Sequence, residues 1–278
     1  MATPKIVPKL VIGANEAVSA RAAREVGADL IWFSGFVASC LLGVSDNDST
    51  AIESWAPLLQ GVQRVGLPVI LDFGSRGISS TDFGNQIQYV SRLSLGGVCV
   101  EDERLPKTNA LLVSDKRVLL SPTEMAEKIV IARMTLGTSV QLIARTHSVL
   151  TGELLPILQE RIQRYMAAGA DALCIHYTGT SWDSHKALLN KIYSGPLMVI
   201  LSNMSELPEA FKRDAPAYIV FPNQLYRMMV HPVLTFTESG KRFSTVRDGS
   251  FTNMNLASTE SLFGVIDRIQ REAAAYGN

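Results

Sequence analysis

The chain uses one junction twice: residues 23–34 read AREVGADLIWFS, and residues 164–176 read RYMAAGADALCIH. In each, a helical pattern ends at a glycine, the chain turns through Ala-Asp, and an apolar run begins. Glycine adopts the left-handed backbone conformation that ends many helices, so both stretches are typical of a helix leading into a strand. The apolar runs lack polar alternation, which predicts strands buried on both faces, as in a parallel sheet.

Similar apolar runs alternate with helical patterns along most of the chain, and MAEKIVIARMTLG at residues 125–137 is one such helical pattern. Eight strand-and-helix units predict an α/β protein with a closed (β/α)8 TIM barrel, as one domain over residues 1–278. The predicted strands are Leu10–Gly13, Leu30–Ser34, Val69–Phe73, Gly97–Glu101, Val140–Arg145, Ala172–His176, Leu197–Leu201 and Tyr218–Phe221.

Composition excludes several classes of protein. The 278 residues carry 26 basic and 26 acidic side chains, so the chain lacks the positive charge of a nucleic-acid binder or a polybasic membrane binder. A hydrophobic content of 47% excludes a disordered chain. The sequence shows neither a signal peptide nor a run approaching the ~20 apolar residues of a membrane span, so we expect a cytoplasmic protein. The cysteines Cys40, Cys99 and Cys174 lie in apolar stretches and are expected to be buried thiols.

Polar side chains stand at the ends of several predicted strands, where the active site of such a barrel forms. Taken singly, each has a structural explanation: Asp72 could cap a helix, and Arg145 could form a static ion pair with Glu101. Together they indicate a functional site, because burying charges at one rim is costly unless they are used. Carboxylates beside an Arg and a His are typical of a divalent-metal site next to an anion site. The residues are Ser34, Asp72, Glu101, Asp102, Arg145, His147, His176, Asn223 and Arg227.

Other chemical motifs are missing from the sequence. It contains no glycine-rich dinucleotide motif, no P-loop and no G-x-S-x-G. The four histidines lack the spacing of zinc ligands, and we expect His185 and His231 to lie on the surface.

Three stretches resemble one known family. Residues 101–109 read EDERLPKTN, residues 32–36 read WFSGF and run on to GVSD at 43–46, and Ala144-Arg145 precedes Gly152. The sequence here resembles the phosphoenolpyruvate mutase group of the isocitrate lyase superfamily. The resemblance implies a gating loop at about residues 103–120. It also implies a homodimer or homotetramer whose C-terminal helix, about residues 259–276, is exchanged between subunits.

The resemblance further implies a role for each matching residue. Mg2+ would be held directly by Asp72, with Glu101 and Asp46 reaching it through water, which suits an ion that keeps several waters. Backbone groups of the WFSGF segment would bind a pyruvyl carboxylate, and the phosphoryl group would be held from strands five and six and by the gating loop. The implied catalytic residues are Asp46, Lys107, Asn109, Arg145 and His176. The implied substrate-binding residues are Trp32, Ser34, Gly35, Phe36, His147 and Asn223.

The resemblance implies a small anionic 2-oxo acid or phosphonate as substrate, and the interconversion of phosphoenolpyruvate and phosphonopyruvate. Asn109 favours this mutase reaction, since related hydrolases typically carry Thr there, and none of the cysteines lies in the loop as the carbon–carbon lyases require. The alternatives are hydrolysis of a carbon–phosphorus bond, cleavage of a carbon–carbon bond, or a barrel that binds a ligand without turnover.

Two departures from the family pattern concern the metal. The family has D-x-D-T-G-Y-G after its third strand, whereas residues 72–77 read DFGSRG, with Gly74 in place of the second Asp and Arg76 nearby. His147 stands in place of the Glu of A-R-x-E. Losing an outer-shell carboxylate typically costs ~10–100-fold in metal affinity or activity. We therefore expect weakened Mg2+ binding, tightened by Gly74→Asp and abolished by Asp72→Ala.

Overall fold

Eight parallel strands close into a barrel in the computed structural model, which describes residues 7–48, 50–107, 117–177, 186, 189–201, 211 and 215–230. Each strand pairs with its neighbours in sequence, and β1 closes on β8. The predicted barrel is confirmed, with every strand end within one residue of its expected position. The strands are β1 Lys9–Gly13, β2 Leu30–Phe33, β3 Val69–Gly74, β4 Gly97–Glu101, β5 Gln141–Thr146, β6 Ala172–His176, β7 Leu197–Ile200 and β8 Tyr218–Phe221.

Helices surround the barrel, and their ends follow local chemistry. The longest begins at a capping box, in which the side chains of Ser121 and Glu124 each accept a hydrogen bond from the other residue's backbone N–H. A 3-10 turn at Ile52–Trp55 precedes the third helix. The helices are α1 Ala17–Glu25, α2 Gly35–Leu42, α3 Ala56–Gln63, α4 Ser80–Val90, α5 Pro122–Leu136, α6 Ser148–Thr151 and α7 Leu155–Ala167.

The core has two layers, one between the strands and helices and one inside the barrel. The interior layer holds apolar side chains from most strands, including Trp32, Cys99 and Cys174. These two cysteines are buried as expected, but the expectation for Cys40 is wrong, since it is exposed in the last turn of α2. An apolar local sequence at a helix end does not by itself place a side chain on the core-facing side.

Backbone hydrogen bonds join the two ends of the segment that follows β4. The Leu120 N–H donates to the Asp102 carbonyl at 2.7 Å, and the Arg104 N–H donates to the Val118 carbonyl at 2.8 Å. This pairing fixes both ends of the predicted gating loop and brings Lys107 over the barrel. The inner part of that loop, with Asn109, lies outside the described residues.

Some further expectations also lie outside the described part of the chain: the C-terminal helix at about 259–276, His185 and His231. Among the helices that the structure describes, none is long and apolar enough to cross a membrane.

Candidate active site

Strand periodicity brings the predicted residues to one rim. Side chains two residues apart on a strand face the same side of the sheet. Four apolar interior residues lie on consecutive strands: Ile70, Cys99, Ile143 and Cys174. Two positions closer to the carboxyl ends of the same strands lie Asp72, Glu101, Arg145 and His176. These four polar side chains therefore point into the mouth of the barrel, where they are 1–8% exposed.

Arg145 lies between the two predicted metal ligands. Its Nη1 is 3.1 Å from Asp72 Oδ1, and its Nη2 contacts Glu101 Oε2. Burial alone would lower the pKa of Arg145, but nearby Asp72 and other groups outweigh it and raise this pKa above its usual value. Arg145 is therefore a cation, and two carboxyl groups from different strands, those of Asp72 and Glu101, converge on it.

Lys107 is the second cation at the rim. Its Nζ lies 3.2 Å from Asp48 Oδ1, 3.3 Å from Asp46 Oδ1 and 3.7 Å from Glu101 Oε1. Burial would lower the pKa of Lys107, but the carboxylates of Asp48 and Asp46 outweigh that effect and raise it. Two predicted residues, Asp46 and Glu101, thus lie around the ammonium group of a third, Lys107.

Both rim histidines are neutral near pH 7. Burial lowers the pKa of His147 and of His176 well below the ordinary value, and the Arg145 guanidinium lowers both further. His147 Nε2 lies 3.1 Å from Glu101 Oε2, and its Nδ1 lies 3.8 Å from Glu103 Oε2. A neutral imidazole can donate through one nitrogen and accept, or bind a metal, through the other.

The N-terminus of α2 lies beside these groups. Ser34 caps the helix, since its side chain accepts from the Val37 N–H at 3.4 Å. The Asn15 amide makes two hydrogen bonds to the Ser34 backbone: Nδ2 donates to the carbonyl, and Oδ1 accepts from the N–H. The first N–H groups of a helix have no partner within the helix, so those of Gly35 and Phe36 are available to an anion.

Close packing explains the glycine at this helix start. A Cβ on Gly35 would lie 3.2 Å from the Trp55 ring and 3.3 Å from the Asp72 carbonyl, so a side chain here would require the ring or β3 to shift by a few tenths of an ångström. Trp32 is fully buried inside the barrel, Phe36 is half-buried, and Asn223 is buried directly after β8. Of the predicted substrate-binding residues, His147 contacts Glu101 and Gly35 lies beside the Asp72 carbonyl, both at the mouth, whereas Trp32 lies one layer deeper, beside Ile70.

Asp102 belongs to a different environment. It follows Glu101 by one residue and so faces away from the interior, where it accepts from Thr146 Oγ1 at 2.7 Å, the His147 N–H at 3.0 Å and Tyr165 Oη at 2.8 Å. Its interpretation as a rim residue is wrong for this reason. Arg227, in the helical segment at 224–230, is exposed.

Sequence reasoning missed three groups of the site. Asp48 approaches Lys107, Glu103 lies near His147, and the Ser75 hydroxyl donates to Glu101 Oε1 at 3.1 Å. Asp48 follows Asp46 by two residues, and this spacing is the feature of the sequence that could have indicated it. Glu103 has the same spacing, two residues after Glu101.

A buried group of acidic and histidine side chains here could hold a metal ion. One ligand atom each from Glu101, Glu103 and His147 lies within 4.8 Å of the others. The carboxylates of Asp72 and Glu101 already converge on the guanidinium cation of Arg145. Because carboxylate oxygens are the ligands that hard divalent cations prefer, the donor set fits such an ion.

Comparison with known proteins agrees with this geometry. A phosphoenolpyruvate phosphomutase from Tetrahymena pyriformis is 26% identical over 227 residues, which cover 79% of this chain and 75% of that protein. One from Streptomyces hygroscopicus is 30% identical over 173 residues, 60% of this chain, and the chain spans about half of its length, 54%. A phosphonopyruvate hydrolase from Variovorax sp. (strain Pal2) is 26% identical over 209 residues, 72% of this chain and 70% of that protein.

Solved structures share the fold. The crystal structure of a phosphoenolpyruvate phosphomutase from Streptomyces platensis subsp. rosaceus superposes with a TM-score of 0.81 at 23% identity, covering 98% of this chain and 96% of that one. A phosphonopyruvate hydrolase in complex with oxalate and Mg2+ superposes with a TM-score of 0.77 at 20% identity, covering 97% and 94%. The family model described as phosphoenolpyruvate phosphomutase matches residues 5–239, which is most of the sequence. The chain therefore belongs to the phosphoenolpyruvate phosphomutase family.

Proposed function

We propose that the protein interconverts phosphoenolpyruvate and phosphonopyruvate. In this reaction the bond between phosphorus and the enol oxygen breaks, a bond between phosphorus and C3 forms, and no water enters. The observation that carries the proposal is the convergence of Asp72, Glu101, Arg145 and Lys107 beside the N-terminus of α2. Positioning and electrostatic stabilisation supply most of the catalysis of phosphoryl transfer, and these groups are suited to both.

The substrate carboxylate binds at the start of α2 in this proposal. The N–H groups of Gly35 and Phe36 donate to it, and the positive end of the helix dipole favours the negative charge. Ser34 keeps the helix start in place through its cap and its hydrogen bonds with Asn15.

The phosphoryl group is held from β5 and β6. Arg145 Nε has no hydrogen-bond partner among the described residues, so it leaves a donor for a phosphoryl oxygen while Nη1 and Nη2 stay with the carboxylates. Neutral His176 donates a further hydrogen bond. Lys107 stabilises the negative charge on the enolate oxygen when the phosphoryl group leaves it.

Magnesium is the ion that we propose for the site. Asp72 would bind it directly, and Glu101 and Asp46 would bind its waters. When bound, Mg2+ would neutralise charge on the substrate's oxygens. The related hydrolase whose structure contains oxalate and Mg2+ supports this choice.

Hydrolysis of phosphonopyruvate is the second candidate, and the relationship to the Variovorax hydrolase favours it. It differs from the mutase reaction in admitting water to the phosphorus atom. Asn109 in the gating loop supports the mutase, because the hydrolases typically carry Thr at that position.

We also propose a homodimer or homotetramer in the cytoplasm, in which the amphipathic C-terminal helix packs on a neighbouring subunit. The apolar positions of that helix have no strand of their own to cover, since eight strands already close the barrel. Light scattering of the purified protein at micromolar concentration measures this, and a monodisperse monomer would refute it.

Phosphorus NMR of the protein with phosphonopyruvate and MgCl2 tests the reaction. A phosphoenolpyruvate signal supports the mutase, inorganic phosphate supports the hydrolase, and an unchanged spectrum refutes both. Asp72→Ala should abolish turnover and Mg2+ binding together. Asp29→Asn is the matched control, since Asp29 directly precedes β2 and accepts from the Leu10 N–H, at the opposite end of the barrel from the mouth.

A further inference from the structure

Gly74 lies where the family motif has its second Asp, and the space beside it is already filled. Gly74 has a φ of 75°, and a Cβ added to it would lie 2.4 Å from Asp48 Oδ2 and 2.9 Å from Asp48 Cγ. The carboxylate of Asp48 therefore stands where a side chain at residue 74 would begin. Asp48 comes from the segment between α2 and the 3-10 turn, 26 positions earlier in the sequence.

Asp48 is held in this position by its backbone and by its partners. Among the described residues, Asp48 is the one non-glycine residue with a positive φ, which is 59°. Asp and Asn tolerate this conformation better than most other residues. The Ser75 N–H donates to Asp48 Oδ2 at 2.8 Å, and the Asp48 side chain is 2% exposed. A carboxylate so buried must be paired, and Lys107 supplies a cation at 3.2 Å.

Arg76 contacts the segment that carries Asp48. Its guanidinium stacks on the Trp55 ring at 4.1 Å from the centroid, donates to the Thr50 carbonyl, and approaches Asp48 Oδ1 at 4.0 Å. Arg76 is 1% exposed, and its partners lie in this segment and in the 3-10 turn. It fixes the segment that carries Asp48.

Asp48 shares the Lys107 ammonium with two residues of the proposed cation site. Lys107 Nζ lies 3.2 Å from Asp48 Oδ1, 3.3 Å from Asp46 Oδ1 and 3.7 Å from Glu101 Oε1. Removing the charge of Asp48 would leave this ammonium to Asp46 and Glu101, the carboxylates proposed to bind the waters of the ion. Asp48 therefore keeps their negative charge available to a divalent ion.

We infer that Asp48 is a positioning residue that supplies, from another segment, the outer-shell carboxylate that residue 74 lacks. The inference rests on the proposed cation site but not on the reaction at phosphorus. It reverses the expectation for Gly74→Asp: with Asp48 in place, a new side chain at residue 74 meets a carboxylate at once, so this variant should not bind Mg2+ more tightly.

The test is calorimetric titration of MgCl2, in saturating oxalate, into five proteins: the parent, Asp48→Asn, Asp48→Gly, Gly74→Asp and the double variant Asp48→Gly/Gly74→Asp. Asn tolerates the left-handed conformation and still accepts from the Ser75 N–H, so Asp48→Asn removes the charge and keeps the fold. Asp48→Gly also suits the positive φ and empties the space beside residue 74. We expect Asp48→Asn to weaken Mg2+ binding ~10–100-fold, the usual effect of losing an outer-shell partner. Gly74→Asp alone should bind no better than the parent. The double variant should recover at least ~10-fold over Asp48→Gly, the non-additivity expected of side chains that share one space.

Thermal melts of all five proteins, with Asp29→Asn as the matched control, separate lost binding from lost folding. Unchanged affinity in Asp48→Asn would overturn the inference, and so would a double variant no better than Asp48→Gly or a parent that binds no Mg2+. If the parent binds Mg2+ and the variants behave as expected, but phosphorus NMR shows no turnover, the proposed reaction fails and the role of Asp48 stands.

Discussion

Replacing Asp102 should destabilise the protein and leave the cation site almost unchanged. Its carboxylate is 0% exposed and accepts hydrogen bonds from Thr146, Tyr165 and the His147 backbone. Burial, and next the charge of Asp102, raise the pKa of Tyr165, which keeps its hydroxyl protonated as the donor. The network lies behind the barrel wall, so it supports the ends of β4 and β5 without entering the mouth.

The magnitude follows from the groups that lose a partner. Arg161 Nη1 is 3.5 Å from Asp102 Oδ2 but keeps the Leu120 carbonyl at 2.6 Å, and Arg161 Nη2 keeps Glu153 at 2.6 Å, so the guanidinium is not left as an unpaired charge. The buried hydroxyls of Thr146 and Tyr165 and the His147 N–H lose their acceptor, at ~1–3 kcal/mol each. Asp102→Ala should therefore lower the free energy of unfolding by at least ~3 kcal/mol, the lower end of the sum of these three losses.

Asp102→Asn keeps the shape and one acceptor oxygen, so we expect a loss of ~1–3 kcal/mol. Guanidinium denaturation followed by circular dichroism measures both values, with Asp29→Asn as the control. Magnesium affinity of Asp102→Asn in oxalate should stay within ~3-fold of the parent, far from the ~10–100-fold of an outer-shell residue. A variant of unchanged stability with weakened Mg2+ binding would show that Asp102 belongs to the cation site and that the periodicity argument is wrong.

Two other predictions concern the scaffold. Hydrogen bonds from Arg104, and next from the capping box, lower the pKa of Glu124 to about 2. A lowered pKa adds stability that is present above the unfolded value of 4.5 and is lost as the pH falls towards 2. Denaturation experiments should therefore show that Glu124→Gln lowers the free energy of unfolding by ~0.5–1 kcal/mol at pH 7 and by almost nothing near pH 2. A cost that does not depend on pH would contradict this prediction. Gly13→Ala would put a Cβ 1.9 Å from the Pro222 carbonyl oxygen, so β1 must shift. The free energy of unfolding should fall by ~2–3 kcal/mol or more, which a lower melting temperature would show. The control Gly61→Ala, whose Cβ has its nearest neighbour at 3.7 Å, should be neutral or stabilising, and equal effects of the two variants would refute the packing argument.

The barrel could be predicted from sequence because its signals are local. An apolar run buried on both faces, and a glycine ending the preceding helix, are each visible within about a dozen residues, as at residues 23–34. Strand periodicity then places Asp72, Glu101, Arg145 and His176 together once the strands are known, and these four lie at one rim. Applied strictly, the same periodicity would also have excluded Asp102.

The partners of those residues could not be predicted in this way, because they depend on contacts between segments distant in sequence. Asp48 meets Ser75 across 27 positions, and Arg76 meets the Thr50 carbonyl across 26. Neither contact follows from a helical or strand period. The family motif therefore predicts a lost carboxylate at Gly74, while the carboxylate that fills its space lies two residues beyond the Asp46 that the motif does connect to the site of β3.

The departures from the family motif are best understood as one coupled change rather than as separate losses. Gly74 leaves room for the Asp48 carboxylate, the Ser75 N–H donates to that carboxylate, and Arg76 packs on Trp55 beside it. Residues in direct contact show non-additive effects, so restoring one family residue alone meets an environment built for the other arrangement. Conversely, without the charge of Asp48 the Lys107 ammonium would be left to Asp46 and Glu101 alone. A short motif can therefore be altered at its most characteristic position while the chemistry that it served is retained by residues outside it.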